Sequence, residues 1–322
     1  MKAIQKYEFE AVLRNFLMQS RFATDGAVVT DLDGTAVHED RGRIFIPEPV
    51  EFGLKKIYEL GRPVVLNSLR FPLSVMRTFG KEWLAIANAP IPVVSLYGSQ
   101  IGYVKRDEKE ELCFEELAAF PLQAGEIDDV LTLVKKLLDD GVRDCLLFYY
   151  PRDWRMGEII WTPVAEKVIH VKEKYTSASS VTAVELEKLR EQLHAEEICM
   201  IFLLIEIPQD QLMAYQHTNR SNFFTRKGIN KLTGTEEIAK HLGFDPVHSI
   251  GAGDSEMDKF LNGVGLAVQV GSNPNFPFRG LTETVRINTA FELGDFLLRL
   301  ADFQREILKS VINPAPNENS AF

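Results

Sequence analysis

Five short apolar runs constrain the fold of this chain more than any other feature: Ala27 to Asp31, Pro63 to Ser68, Pro92 to Tyr97, His248 to Asp254 and Gly265 to Val270. Most of them close on a small or polar residue. Helical patterns separate the early ones, PEPVEFGLKKIYELG after the first and LSVMRTFGKEWLAIA after the second. Apolar strands alternating with helices predict an α/β chain built on a parallel sheet covered on both faces. Ligands of such sheets bind outside the carboxyl ends of the strands, where Asp31, Ser68, Gly98 and Asp254 would all fall.

The 322 residues suffice for two ordinary domains or one domain with a sizeable insertion. A formal charge of -10 argues against an extended phosphate backbone as partner, so nucleic acid binding is not expected, while a local basic pocket for one small anion stays compatible. Cys113, Cys145 and Cys199 are widely spaced and form no CxxC, which indicates neither a zinc site nor a disulfide framework. The N-terminal MKAIQKYEFEAVLRNFLMQSR carries charges through its apolar residues at helical spacing, unlike a signal peptide. It predicts a surface helix and a cytoplasmic protein. ICMIFLLIEI, Ile198 to Ile207, is far shorter than the roughly 20 residues of a membrane helix and reads as a buried strand, so no membrane partner is expected.

The rhythm breaks between about Val104 and Asn222, where AGEIDDVLTLVKKLLDDG and VTAVELEKLREQLHA read as helices and CLLFYY and ICMIFLLIEI as strands. This predicts an inserted α+β domain over 104–222, a core over 21–103 and 223–310, an N-terminal helix over 1–20 and a disordered tail over 311–322. PRDWRMGEIIWTP, with two of the three tryptophans, reads as a ligand-facing loop or an edge hairpin, and the hairpin is favoured.

If Asp31 ends a central strand, its carboxylate is placed as a nucleophile that divides phosphoester hydrolysis into two easier displacements through an aspartyl-phosphate. Asp33, in the following turn, could protonate the leaving oxygen and then deprotonate water. Gly34 permits the tight turn, whose amides can cradle phosphate oxygens. A carboxylate facing a phosphate needs a hard cation, and Mg²⁺ suits one or two carboxylates plus substrate phosphate. SIGAGDSEMD supplies Asp254 and, one helical turn later, Asp258, on the same side if a helix starts there. The alternative is that Asp254 and Ser255 only cap that helix.

DLDGT at Asp31 to Thr35, Ser68 after PVVLN, and GDSEMD at Gly253 to Asp258 together resemble, in order, the strand-end motifs of the haloacid dehalogenase superfamily of phosphotransferases. The large insertion is similar in position to the caps of Cof-type, sucrose-phosphate and trehalose-phosphate phosphatases. The resemblance implies a Rossmann-like core with an α+β cap. It implies Asp31 as nucleophile and metal ligand, Asp33 as general acid/base and a ligand through its backbone carbonyl, Asp254 as third protein ligand, and Ser68 as a hydrogen-bond partner of the phosphoryl group. Arg70 matches the arginine of the Cof-type Thr-Gly-Arg, with Leu69 replacing the glycine, and Gly98 is the best-matched position of its strand end.

For the catalytic lysine, Lys227-Gly228 reproduces the family's common Lys-Gly, but FTRKGINK laid on the Cof-type pattern puts Lys231 in place. Thr233 and Glu236 have capping-box spacing, which predicts a helix start whose amides face the anion. Met257 occupies the place of the Cof-type phosphate-binding asparagine, for which Asn273 is the candidate substitute. The expected function is Mg²⁺-dependent hydrolysis of a small phosphorylated metabolite, in particular a sugar phosphate. The alternatives are a phosphosugar mutase and a non-catalytic phosphosugar-binding regulator.

Overall fold

The computed structural model describes residues 5–40, 43–205, 223–273 and 276–312. The chain forms two compact units, one of Met1–Val65, Ala239–Asp254 and Asp258–Phe322, the other of Leu66–Ile238 and Ser255–Met257. Of the expected tail, 313–322 lies outside the described residues, as do the last two residues of ICMIFLLIEI.

The first unit begins with helices α1 (Gln5–Gln19) and α2 (Phe22–Asp25), strand β1 (Val28–Thr30), the hairpin β2 (His38–Asp40) and β3 (Arg43–Phe45), and helix α3 (Glu48–Glu59). Pro49 suits the first turn of α3, where the backbone N–H groups have no helical partner, and Glu48 and Glu51 complement the dipole there. Strand β4 (Val64–Asn67) is divided between the units after Val65.

In the second unit, helices α4 (Pro72–Val75) and α5 (Lys81–Ile86) lead to β5 (Ile91–Ser95), which pairs in parallel with Leu66 and Asn67 of β4. Strands β6 (Gln100–Arg106) and β7 (Leu112–Ala119) extend this ladder in antiparallel fashion, so it runs on through position 104.

The chain then forms α6 (Ala124–Asp139), β8 (Cys145–Pro151), β9 (Ile159–Trp161), α7 (Val168–Lys174), β10 (Ser180–Thr182), α8 (Leu186–Ala195), β11 (Ile198–Ile205), β12 (Phe223–Phe224) and α9 (Lys231–Leu242). Five of these strands make a second sheet, ordered β10-β9-β8-β11-β12. Alternation along β8 buries both of its faces. Cys145, Leu147 and Tyr149 pack with Ile127 and Val130 of α6 and Leu189 and Leu193 of α8, whereas Leu146, Phe148 and Tyr150 pack with Phe71 and Leu96.

Two segments depart from their local sequence pattern. VTAVELEKLREQLHA does not start as a helix: Val181 and Thr182 pair in parallel with β9, and the helix begins at Leu186. PRDWRMGEIIWTP does form the β8–β9 hairpin, but β9 is interior because β10 takes the edge.

In the first unit, β13 (Ile250–Gly253), β14 (Leu266–Val270) and β15 (Glu283–Ile287) are followed by helix α10 (Ala290–Ile312), which covers the position where the tail was expected to begin. The order here is β15-β14-β13-β1-β4, with β15, β14, β13 and β1 mutually parallel. Gly53 lets α3 lie close on α10, since a Cβ there would meet that of Leu297 at 2.6 Å. The expected α/β architecture with a predominantly parallel sheet is therefore present. Among the described residues no helix is long and apolar enough to cross a membrane.

Candidate active site

The first unit gathers three carboxylates at the ends of β1 and β13. Asp31 prolongs the pairing of these strands, donating its backbone N–H to Ala252 O at 2.9 Å, and is 4% exposed. The chain then turns sharply through Leu32–Ala36 and closes with Val37 N donating to Leu32 O at 2.8 Å. Gly34 makes that turn possible in two ways. It has φ +77, which favours glycine, and a Cβ there would lie 2.2 Å from Asp254 Oδ2.

Asp254 follows β13 directly. No α-helix starts there; a turn brings Asp258 round so that its Oδ2 accepts from Asp254 N at 2.9 Å. The proximity expected from a helical turn is thus reached by another route. Asp31, Asp254 and Asp258 each offer a carboxylate oxygen within 4.8 Å of the others. Thr35, fully buried, places Oγ1 3.3 Å from Asp31 Oδ2 and 3.2 Å from Asp254 Oδ1. Its single proton serves one carboxylate at a time. Three hard oxygen donors gathered in this way fit a cation such as Mg²⁺. Asp33 is half-buried in the turn, and Asn273 is exposed beyond β14.

The second unit gathers the other expected residues. Ser68 is fully buried at the end of β4, donates its backbone N–H to Val94 O at 2.8 Å, and accepts on Oγ from Arg70 N at 3.2 Å. Arg70 Nη1 donates to Ser74 Oγ at 3.2 Å, and Leu69 packs on the aromatic cluster under β8. Gly98 has φ +102, and a Cβ there would lie 2.3 Å from Asn230 O, so glycine allows the turn after β5 to approach the start of α9.

Lys231 is 1% exposed, whereas Lys227 is exposed and engages Glu126 Oε1 through its backbone N–H at 2.7 Å. The expected cap is shifted. Asn230 caps α9, its Oδ1 accepting from Leu232 N at 2.9 Å, while Thr233 Oγ1 accepts from Asn230 N at 2.9 Å. Thr233 therefore occupies the third helical position, because Lys231 itself opens the helix. Met257 is half-buried, with its N–H directed to Ser255 Oγ at 3.3 Å.

Sequence reasoning missed Thr35 as a bridge between carboxylates and missed Asn67, whose Nδ2 donates to Lys231 O at 2.9 Å. Thr35 carried a signal, its place in DLDGT; Asn67 carried none beyond a polar residue inside an apolar run.

The tryptophan-rich segment engages its neighbours through Arg152, Glu158 and Trp161. Arg152 is held by Glu116 at 2.7 Å and Glu197 at 2.9 Å, and both carboxylates raise its pKa. Trp161 is buried and donates Nε1–H to Val184 O at 2.8 Å. Tyr150 donates its hydroxyl to buried Glu158 at 2.7 Å, and burial followed by the Glu158 charge pushes its pKa well up.

A family profile described as haloacid dehalogenase-like hydrolase matches residues 28–275. No match was found among curated protein sequences. Among solved structures, a phosphatase of the haloalkanoate dehalogenase superfamily from Bacteroides thetaiotaomicron is 15% identical, with a TM-score of 0.59 over 86% of this chain and 96% of its own. A protein from Thermotoga maritima is 15% identical, with a TM-score of 0.60 over 86% of this chain and 97% of its own. A subclass IIB sugar phosphatase of the same superfamily is also 15% identical, with a TM-score of 0.59 over 88% and 98%.

Proposed function

Since this chain belongs to the haloacid dehalogenase-like hydrolases, we propose that it is a Mg²⁺-dependent phosphatase acting on a small phosphorylated metabolite, a sugar phosphate in particular. The observation that carries this reading is the gathering of Asp31, Asp254 and Asp258 within 4.8 Å, with Thr35 between the first two. The sugar-phosphate assignment draws on likeness to a subclass IIB sugar phosphatase.

A bound Mg²⁺ would be held by Asp31, Asp254 and the Asp33 backbone carbonyl, with Asp258 in support, and would offset negative charge between carboxylate and phosphate. Asp31 attacks phosphorus, and the ester oxygen leaves with a proton from Asp33. Asp33, now a carboxylate, then takes a proton from water as the water oxygen displaces Asp31 from phosphorus. Inorganic phosphate and the free alcohol are the products. Lys231 neutralises phosphoryl charge, and Ser68 and the loop through Leu69 and Arg70 hydrogen-bond the phosphoryl oxygens.

The second sheet, β10-β9-β8-β11-β12, with helices α6 and α8 serves in this proposal as the cap that admits small substrates, and it takes up most of the expected 104–222 segment. Asn273 takes the place of the phosphate-binding asparagine lost at Met257. Three cysteines, none in a disulfide, suit the cytoplasm. The deciding measurement is phosphate release from sugar phosphates, phosphoglycerate esters and nucleotides, with and without Mg²⁺, for wild type and Asp31→Asn. Folded wild-type protein that is silent across this panel defeats the proposal, and isomer formation without phosphate release would make the enzyme a mutase.

A further inference from the structure

Resting on that role for Lys231, we propose that Asn67 is a positioning residue whose carboxamide fixes the first turn of α9 and with it the lysine. Asn67 ends β4 and is fully buried. Its Nδ2 donates to Lys231 O at 2.9 Å and to Thr235 Oγ1 at 2.8 Å, and the Thr235 hydroxyl donates to Lys231 O at 2.8 Å. This is a closed ring of three hydrogen bonds in which both amide hydrogens and the hydroxyl hydrogen are used. The ring also fixes which way the amide faces, because a carbonyl oxygen can only accept.

The other end of the amide shows what this residue is for. Asn67 Oδ1 is buried with no hydrogen-bond partner among the described residues. Unmet buried acceptors are unfavourable, and Val64, Val65 and Leu66 show what fills the rest of this strand. An aliphatic residue at 67 would pack without that penalty. The asparagine therefore serves the ring and not the strand.

The same turn is confined from β5. A Cβ on Gly234 would lie 2.4 Å from Val94 Cγ1 and 3.0 Å from Gly98 Cα, so this helix start sits as close to the end of β5 as glycines allow. Packing presses the turn from one strand and Asn67 ties it to the next. Lys231, a long side chain at 1% exposure, then starts from a fixed backbone, the condition for holding an ammonium within a fraction of an ångström.

The test compares wild type, Asn67→Ala, the near-isosteric Asn67→Asp, and Thr235→Val, using kcat, KM and amide hydrogen exchange of the peptide covering 230–236. Asn67→Ala should lower kcat by about 10- to 100-fold with KM within about threefold, since roughly 1 Å of misplacement carries losses of that order. Exchange should accelerate in the first turn of α9. Asn67→Asp sets an acceptor against the Lys231 carbonyl and should behave alike, while Thr235→Val should fall between. Where the alanine variant does not fold, the other two carry the comparison.

A folded Asn67 variant with wild-type kcat and wild-type exchange over 230–236 overturns the proposal, and so does one that loses only thermal stability. Wild type that releases phosphate while Asp31→Asn does not upholds the phosphatase reading whatever Asn67 does. If wild type releases none, that reading fails, and unchanged exchange over 230–236 would overturn the anchoring role separately.

Discussion

Replacing Gly34 by alanine should damage the carboxylate cluster through a collision whose size follows from the structure. At φ +77 a residue bearing Cβ is strained by about 1–2 kcal/mol. The new carbon would lie 2.2 Å from Asp254 Oδ2, whereas ordinary contact begins at 3.4 Å, so the carboxylate or the turn must retreat by about 1.2 Å. Neither moves freely, because Asp254 N is bonded to Asp258 and Thr35 adjoins the carboxylates of both Asp31 and Asp254. A shift of that size in a reacting site costs on the order of 100-fold in rate. Gly61, in the same unit, has φ +74 and nothing within 4 Å of its would-be Cβ, so Gly61→Ala carries the strain without the collision. Urea unfolding should show Gly61→Ala losing about 1–2 kcal/mol and Gly34→Ala at least as much. Only Gly34→Ala should lose about 100-fold in kcat/KM and need more Mg²⁺ for half-maximal phosphate release. Wild-type activity at wild-type Mg²⁺ in Gly34→Ala, or equal damage from Gly61→Ala, would refute the reasoning.

Lys231→Met should lower kcat by about 100- to 1,000-fold, as removal of one stabilising donor does elsewhere, whereas Lys227→Met should hydrolyse like wild type; steady-state assays separate the two. Tyr150→Phe leaves an oxygen of buried Glu158 without its hydroxyl donor and should cost about 1.5–3 kcal/mol in urea unfolding. Burial pushes the Cys145 thiol up to about 11 and the Cys199 thiol up to about 12, against 9.0 when unperturbed. Both folded values lie above the unfolded one, so this stability is complete below about pH 9 and falls toward pH 11 to 12, by up to about 1.4 kcal/mol per pH unit for each thiol. Urea midpoints at pH 8 and pH 10 should show the decline, and the double variant Cys145→Ala/Cys199→Ala should show a shallower one.

The elements legible in the sequence were those whose pattern is local. The apolar runs became β1, β4, β5, β13 and β14, and Asp31 and Asp254 follow the ends of two of them. Strands β6 and β7 are not legible, because neither alternates cleanly: β6 is buried at three consecutive residues, Gln100 to Gly102, and β7 is half-buried along most of its length. Val181 and Thr182 continue a helical pattern in the sequence, and nothing local marks the three-residue strand they form beside β9. Thr233 looked like a cap by spacing, but Asn230 preceded it and took the role. The bonds joining Asn67 to Lys231 span 164 residues, and such pairing leaves no trace in the sequence around either partner.

The first unit is assembled from distant stretches of chain, and this sets an order on its synthesis. Val28 of β1 pairs with Ile250, 222 residues later, while most of the second unit is the unbroken stretch Leu66–Ile238. At about 5–20 residues per second, a ribosome takes roughly 10–45 s to deliver the neighbour that β1 awaits. Through that interval the nascent Val28–Thr30 keeps an unpaired strand edge, an invitation to wrong partners. Weak substitutions in β13 would therefore reduce the yield of soluble chains more than the activity of those that finish folding.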